Sequence, residues 1–496
     1  MRADLVWRRF SCWRGGRLRF AVTVAALLIA AAPALCLAQE GGKPLTLDEA
    51  MKIALANNKS VAIAQSLVSK ARGAVRQASS ADNPQIGIQT NYTKIGPKPP
   101  GIRFLVADDP NDPHPTAFHY ENIQFSTTEQ KSATATLTKV LDVFGQVRLG
   151  VSIAQLQEAI QELDVLRTTQ QLTLDVKQTY YNVLRAEAQR EVADKSVQAA
   201  EEHLRIAQVQ FKAGVSARFD VIRAEVDVAN NKQNLISTTN AVMIATSVLN
   251  NTLGIDVNAP TKVQNVALTV RSAVPEGDIG RNTEIAYKSR PEVLQSQVTV
   301  KLNQQAVNLN KRGLWPTLVG SATSGWSGSG GLASPTEFPW TAGLMLNIPI
   351  WDGGATKAKV EQSKSDLDIA GFQLEQLKLG VALEVRSQLL NLNEAAERVS
   401  TAAENVKQAE EALRLAQVRY QSGISTAVEV TDAEVSLRLT RMIEVNANFD
   451  YLVALARLER AVGAEPKLGG ASGQASGGPL PNPPPKGEGV KNPPSS

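Results

Sequence analysis

The chain has 496 residues, a formal net charge of +4, two cysteines and three histidines, and only 5 % of its side chains are aromatic. That length allows two or three ordinary domains or one large repetitive one. Cys12, Cys36 and six of the arginines fall within the first 38 residues; cleavage there leaves 46 basic against 47 acidic side chains, excludes a disulfide framework and removes any charge argument for nucleic acid as a partner.

The first predicted element is a secretory leader over 1–38. Arg2, Arg8, Arg9, Arg14, Arg17 and Arg19 form a positive region, Phe20 to Ala32 an apolar run, and Ala38 a small residue before the cut. The run is shorter than the roughly 20 residues of a membrane-spanning helix. Leu35 stands where lipid attachment at Cys36 would need a small residue, and Arg8-Arg9-Phe10 lies too far from the apolar run for a twin-arginine signal.

An opening helix is predicted over 46–82, stopped by Pro84. Ile86, Ile88, Thr90 and Tyr92 then alternate with Gln85, Gly87, Gln89, Asn91 and Thr93, which predicts a strand with one apolar and one neutral polar face. Gly96 to Gln130 holds Pro97, Pro99, Pro100, Pro110, Pro113 and Pro115 and is expected to be a stiff irregular loop, its His114 and His119 solvated rather than metal-bound. A second strand sets Ala133, Ala135 and Leu137 against Ser132, Thr134, Thr136 and Thr138. No proline occurs from Ala117 to Ala259, so a helical hairpin is predicted over 147–250 with a first arm to 212. About 65 helical residues reach on the order of 100 Å. The stripe Val197, Ala200, Leu204, Ala207, Phe211 has coiled-coil spacing along that arm, although an ordinary bundle core would show it too.

The chain then repeats this order. Residues 201–226 and 410–435 are identical at 13 of 26 positions with an offset of 209, and Val406, Ala409, Leu413, Ala416, Tyr420 repeat the stripe. Ala286 to Val293 and Pro316 answer Ala54 to Val61 and Pro84 at an offset of 232, because the loop in the first half is longer. The second half therefore predicts an opening helix over 281–312, a third and weakest strand (Leu318, Gly320, Ala322, Trp326) and a short Gly- and Ser-rich loop, Ser327 to Phe338. A fourth strand follows, with Trp340, Ala342, Leu344, Leu346 and Ile348 facing away from Thr341, Gly343, Met345 and Asn347, then a helical hairpin over 355–462. The domain reading is a first repeat over 39–265 (β-hairpin 84–144), a second over 266–465 (β-hairpin 316–351), and a disordered Pro- and Gly-rich tail over 466–496.

Strands of about ten residues are long enough to cross a bilayer when tilted. Tyr92, Trp326 and Trp340 at their loop ends and Phe144, Trp315 and Trp351 at their helix ends form two aromatic levels, as in the girdles of a membrane barrel. The same pattern also suits an amphipathic sheet over a soluble core; the leader favours the membrane. Four strands cannot close a barrel, and open sheet edges are not tolerated in hydrocarbon, so several copies must pool theirs. Three copies would supply twelve strands.

Taken together, leader, duplication, strand hairpins and long helical hairpins resemble the TolC-type outer-membrane efflux family over about residues 45–463. The most specific pieces are the paired tips, Phe211-Lys-Ala-Gly214-Val215-Ser216 and Tyr420-Gln-Ser-Gly423-Ile424-Ser425, with Leu141-Asp-Val-Phe144-Gly145 and Ile348-Pro-Ile-Trp351-Asp-Gly353-Gly354. The resemblance implies a mainly α fold with a membrane β-barrel: a homotrimer whose twelve-stranded barrel in outer-membrane lipid stands on a twelve-helix tunnel. It implies a periplasmic adaptor and an inner-membrane pump of RND or ABC type as partners, and no cofactor. The tips would dock the adaptor, or simply turn the chain, with Gly214 and Gly423 ending one helix and Ser216 and Ser425 or Thr426 capping the next. Glu429 and Asp432 fall where family members carry an acidic constriction, which implies a cation-favouring gate at the periplasmic mouth; Thr426-x-x-Glu429 also reads as a capping box. The first half has Asp220 and Arg223 there, a candidate helix-face pair or closing contact at the gate. Ser425 replaces an arginine common in family tips, which leaves Tyr420 for a closing contact. No enzyme motif is present. The competing reading is a non-conducting, structural coiled-coil envelope protein.

Overall fold

The computed structural model describes residues 44–94, 96, 101–111, 113–114, 116–123, 129–266, 278–329, 339–422 and 424–463. The expected leader, the expected tail, Gly423 and most of the Ser327–Phe338 loop lie outside them. Helix dominates, and no helix among the described residues is long and apolar enough to cross a membrane.

Each opening helix is broken in two, where one continuous helix was expected. In the first half α1 (Leu47–Asn57) is separated from α2 (Lys59–Ser80) by Asn58, which has extended backbone angles and accepts the Ser60 N–H at 2.8 Å. In the second, Arg290 separates α5 (Asp278–Ser289) from α6 (Pro291–Lys311). Pro291 explains that break: it biases Arg290 to extended angles and is tolerated in the first turn of the next helix. Thr46 and Glu49 close a capping box on α1.

Between the opening helices and the long ones lie the strands β1 (Gln85–Lys94), β2 (Ile102–Ala107), β3 (Phe118–Ile123) and β4 (Glu129–Leu141) in the first half, with β5 (Thr317–Ser329) and β6 (Trp340–Asn347) in the second. One antiparallel sheet has the order β1-β4-β5-β6, so the two hairpins share a single sheet through the β4–β5 pairing. The loop after β1 is not wholly irregular. It contains a separate hairpin pairing β2 with β3, and the exposed His119 has its Nδ1 2.7 Å from Asp108 Oδ1.

The long helices are α3 (Gln146–Lys212) with α4 (Arg218–Leu253), and α7 (Ala355–Gln421) with α8 (Ala427–Val462). α3 and α7 each have 67 residues, about 100 Å, and α4 and α8 each have 36. The carboxylates of Asp142 and Asp352 accept the first amides of α3 and α7, next to Gly145 and Gly354 in left-handed conformation.

α4 is about half as long as its partner, and α2 occupies the rest of α3. Arg72 of α2 holds Glu158 and Glu162 near the strand end of α3, while Lys232 of α4 holds Glu201 further on. The two short helices meet head to tail: Asn58 Nδ2 donates to the Thr252 carbonyl at the end of α4. α6 meets α8 in the same way, through Ser289 and Arg290 to the carbonyls of Val462 and Ala461.

The main core lies around these two junctions, built from Tyr180, Leu249, Leu253, Val293, Leu389, Tyr451 and Leu458. Tyr180 is fully buried; its hydroxyl reaches the carbonyls of Leu45 and Gln264 at 2.8 and 2.7 Å and accepts the Gln264 N–H, tying together the chain segments that pair at Leu45 and Val263.

Candidate functional site

The sheet and the tips of the long hairpins hold the residues singled out from the sequence, and each can be built from its register. Rows across the sheet run Ile86–Leu137–Ala322–Ala342 on one face and Gly87–Thr136–Thr323–Thr341 on the other. Period-two alternation then puts Ile86, Ile88, Ala133, Ala135, Leu344 and Leu346 on the first face. The second carries Gln85, Gln89, Thr134, Thr138 and Ser321, with Thr323 and Thr341 hydroxyls 2.6 Å apart. Ile86, Ile88 and Leu344 are each more than 70 % exposed, so nothing among the described residues covers this part of the apolar face. β1 and β6 are each paired on one side only, which leaves two open edges.

Of the six aromatics, the fold brings two together. Phe144 and Trp315 meet edge to face at 6.2 Å, and Arg312 lies over Trp315 at 5.0 Å while donating to the Phe144 carbonyl. Trp351 is 85 % exposed. At the other end Lys131 sits 5.8 Å from the Tyr92 ring, and Trp326 and Trp340 lie two and four rows closer to the helices than Tyr92.

At the first tip, α3 ends on Gly214 with φ 77°, and Val215 N–H reaches back to the Gln210 carbonyl at 2.9 Å. Ser216 does not cap α4, as the sequence suggested; its hydroxyl lies 3.5 Å from the Ala207 carbonyl. Asp220 does the capping instead, accepting the Ala217 N–H at 3.2 Å. At the second tip Ile424 N–H reaches the Arg419 carbonyl at 2.9 Å, and Val215 and Ile424 are both over 70 % exposed. Thr426 makes no side-chain cap bond and the buried Ser425 Oγ has no hydrogen-bond partner, so neither Ser425 nor a Thr426–Glu429 box closes this helix start. Glu429 faces Arg419 at 3.8 Å instead, and Asp432 is exposed one turn later.

The sequence singled out Tyr420 but not its partner, and it did not show the cavity beyond. Tyr420 donates to Gln210 Oε1 at 2.7 Å, joining the end of α7 to the end of α3. Farther along, a cavity of about 210 Å³ is lined by Lys195, Asp227, Asn231, Glu434, Arg438 and Arg441 among others. Burial pushes Glu434 up to about 7, Asp227 adds to the effect and Arg438 opposes it. Its counterpart Glu225 is exposed, although both sit in the sequence Ala-Glu-Val. Local sequence cannot separate the two; only the packing around them does.

The geometry of the described residues offers no group of three or more His, Cys, Asp or Glu side chains that could hold a metal ion. It offers a two-faced sheet with free edges at one end and paired helical tips about 100 Å away. The family model described as "Outer membrane efflux protein" matches residues 50–255 and 283–464. Nodulation protein T of Rhizobium leguminosarum bv. trifolii is 23 % identical over 296 residues, 58 % of this chain and 62 % of the relative, so the chain spans under two thirds of that protein. Outer membrane protein TolC of Escherichia coli (strain K12) is 23 % identical over 366 residues, 69 % of this chain and 71 % of the relative. The outer membrane protein VceC of Vibrio cholerae has a similar fold, with a TM-score of 0.68, 18 % identity, and coverage of 84 % of this chain and 96 % of that one.

Proposed function

The chain belongs to the outer membrane efflux protein family, and from that premise we propose that copies of it assemble into a closed conduit that carries solutes or polypeptides out of the cell. Membership places it in the Gram-negative outer membrane, extending into the periplasm, among channel proteins rather than enzymes. The observation that carries the proposal is the sheet: apolar on one face, neutral and polar on the other, and open along β1 and β6. In hydrocarbon the free edges need partners, and the described residues hold no further strand of that sheet. Edges supplied by neighbouring copies satisfy them, and three copies would make a barrel of twelve strands with Thr- and Gln-lined water inside.

In this reading the rings at the two ends of the strands (Tyr92, Trp326 and Trp340; Phe144, Trp315 and Trp351) mark the two membrane surfaces. The two halves act as tandem repeats, each giving a β-hairpin to the barrel and a helical hairpin to a tunnel through the periplasm. Val215 and Ile424 at the tips receive an adaptor, which joins the conduit to an inner-membrane pump of RND or ABC type. Glu429 and Asp432 line the narrow mouth, with Tyr420 bracing it. The test is the purified protein in planar bilayers: a heat-resistant oligomer from the outer-membrane fraction that conducts ions supports the conduit. A water-soluble monomer with no conductance removes it.

A further inference from the structure

Near the tips, two side-chain links hold the α7–α8 hairpin to the α3–α4 hairpin. Tyr420 meets Gln210 at the very end, and farther along Arg438 donates from Nη1 to Asn231 Oδ1 at 2.6 Å. α8 and α4 do not pack along each other, so the second link is made by side chains alone, at the cavity that Arg438 and Asn231 both line. Asn231 is 3 % exposed and is itself fixed, its Nδ2 donating to the Asp227 carbonyl at 2.9 Å. Glu434 lines the same cavity, four residues before Arg438 on α8. At that spacing a carboxylate and a guanidinium can meet on one helix face. Arg438 therefore has a choice of partner: Asn231 across the cavity or, once it is charged, Glu434 on its own helix.

The groups around Glu434 decide between the two. From α4 it faces Asp227, a like charge. α3 contributes Lys195, already held by Glu191 at 2.7 Å, and Arg441 of α8 is held by Glu410 at 2.9 Å. α7 contributes Leu413 and Gln417, which carry no charge. His203 of α3 faces Asp227 too, but burial holds it below its ordinary 6.5 and so neutral at pH 7. Of the three cations lining the cavity, Arg438 is the one left to answer a charge on Glu434. The arrangement occurs in one half only: 209 residues earlier Glu434 becomes the exposed Glu225 and Arg438 becomes Ala229.

We propose that Glu434 is a proton-operated release for the Arg438–Asn231 link: loss of its proton draws Arg438 back onto α8 and lets the α7–α8 tip move away from the α3–α4 tip. The inference rests on the conduit reading above and adds a signal that opens the periplasmic mouth. Protonated, Glu434 is neutral beside Asp227, and Arg438 stays on Asn231. Ionised, it is repelled by Asp227 and attracts Arg438, and both effects oppose the link. Burial and the Asp227 charge place this change at about 7. The link holds below that value and yields above it.

The test is the full-length protein in planar bilayers, recorded between about pH 5.5 and 8.5 with the same pH on both sides. Conductance of the unmodified channel is expected to rise several-fold with a midpoint at about 7. Glu434→Gln keeps the low value throughout and Arg438→Ala the high value throughout. Asp227→Asn, which removes the like charge, moves the midpoint to lower pH. A Glu434→Gln channel that still shows the full rise overturns the release, as does an unmodified channel with no rise, and either result leaves the conduit standing. If Glu434→Gln fails to assemble, the Asp227→Asn midpoint decides, and one that does not move overturns the release. Absence of conductance from the unmodified protein at every pH removes the conduit and the release together.

Discussion

Glu429 and Asp432 stand in the first two turns of α8, three residues apart on one helix face. Glu429 is partly matched by Arg419, whereas Asp432 is exposed. Several copies would gather these carboxylates into a ring that attracts cations and holds divalent ions. Glu429→Gln with Asp432→Asn is expected to cut cation preference and divalent block several-fold in single-channel recordings; unaltered selectivity takes both residues out of the mouth. Glu434 gives a prediction in pH. Its carboxyl is raised by burial from the ordinary 4.5 to about 7, with Asp227 on α4 adding to it, Arg438 on α8 opposing it, and Lys195 and Arg441 also lining the cavity. Because the folded value is the higher one, its contribution is fully present below about 4.5 and is lost as pH rises through 7. Glu434→Gln should leave the melting temperature unchanged at pH 4.5 and raise it at pH 8. A parallel shift at both pH values would contradict this.

Among the elements, the joins between short helices are the places where one residue decides most. Gly254 ends α4 at φ 72°, and a Cβ there would come within 3.0 Å of the Asn57 backbone, at the head-to-tail junction with α2. Gly254→Ala therefore combines left-handed strain of about 1–2 kcal/mol with a backbone clash, and should lower the thermal midpoint. Gly73→Ala, mid-helix in α2 with open space around it, should instead gain about 0.5–1 kcal/mol. The long helices were legible because proline is absent over their whole length and the 209-residue offset fixes one hairpin from the other. The breaks at Asn58 and Arg290 were not read. Pro291 is a signal that was passed over, whereas Asn58 is an ordinary helix residue until its side chain takes the Ser60 amide. Six prolines hid the β2–β3 hairpin, since they flank the paired segments instead of interrupting them. At the tips, the residue types were legible but their partners were not: Gln210, Arg419 and Ala207 are met across turns and helices that no local pattern specifies.

For the whole molecule, the two faces of the sheet carry the sharpest contrast. Ile88 and Gln89 are neighbours in β1 that point opposite ways. Ile88→Lys on a lipid-facing surface costs about 2–4 kcal/mol per copy, enough to deplete the oligomer in the outer-membrane fraction. Gln89→Lys should assemble normally and shift ion selectivity toward anions. Equal tolerance of the two changes would reverse the assignment of inside and outside.

The staggered rings of the sheet have a geometric consequence. Tyr92 on β1 and Trp340 on β6 are offset by four rows across three strand spacings, with Trp326 between them. With a rise of about 3.4 Å per row and about 4.8 Å between strands, a line through those rings crosses the sheet at a slope of roughly 43°. For the three to float at one depth the strands must lean by that amount, close to the inclination that lets a sheet roll shut. In the multi-copy barrel proposed above, each copy would then offer the next an edge displaced along the strand by four residues.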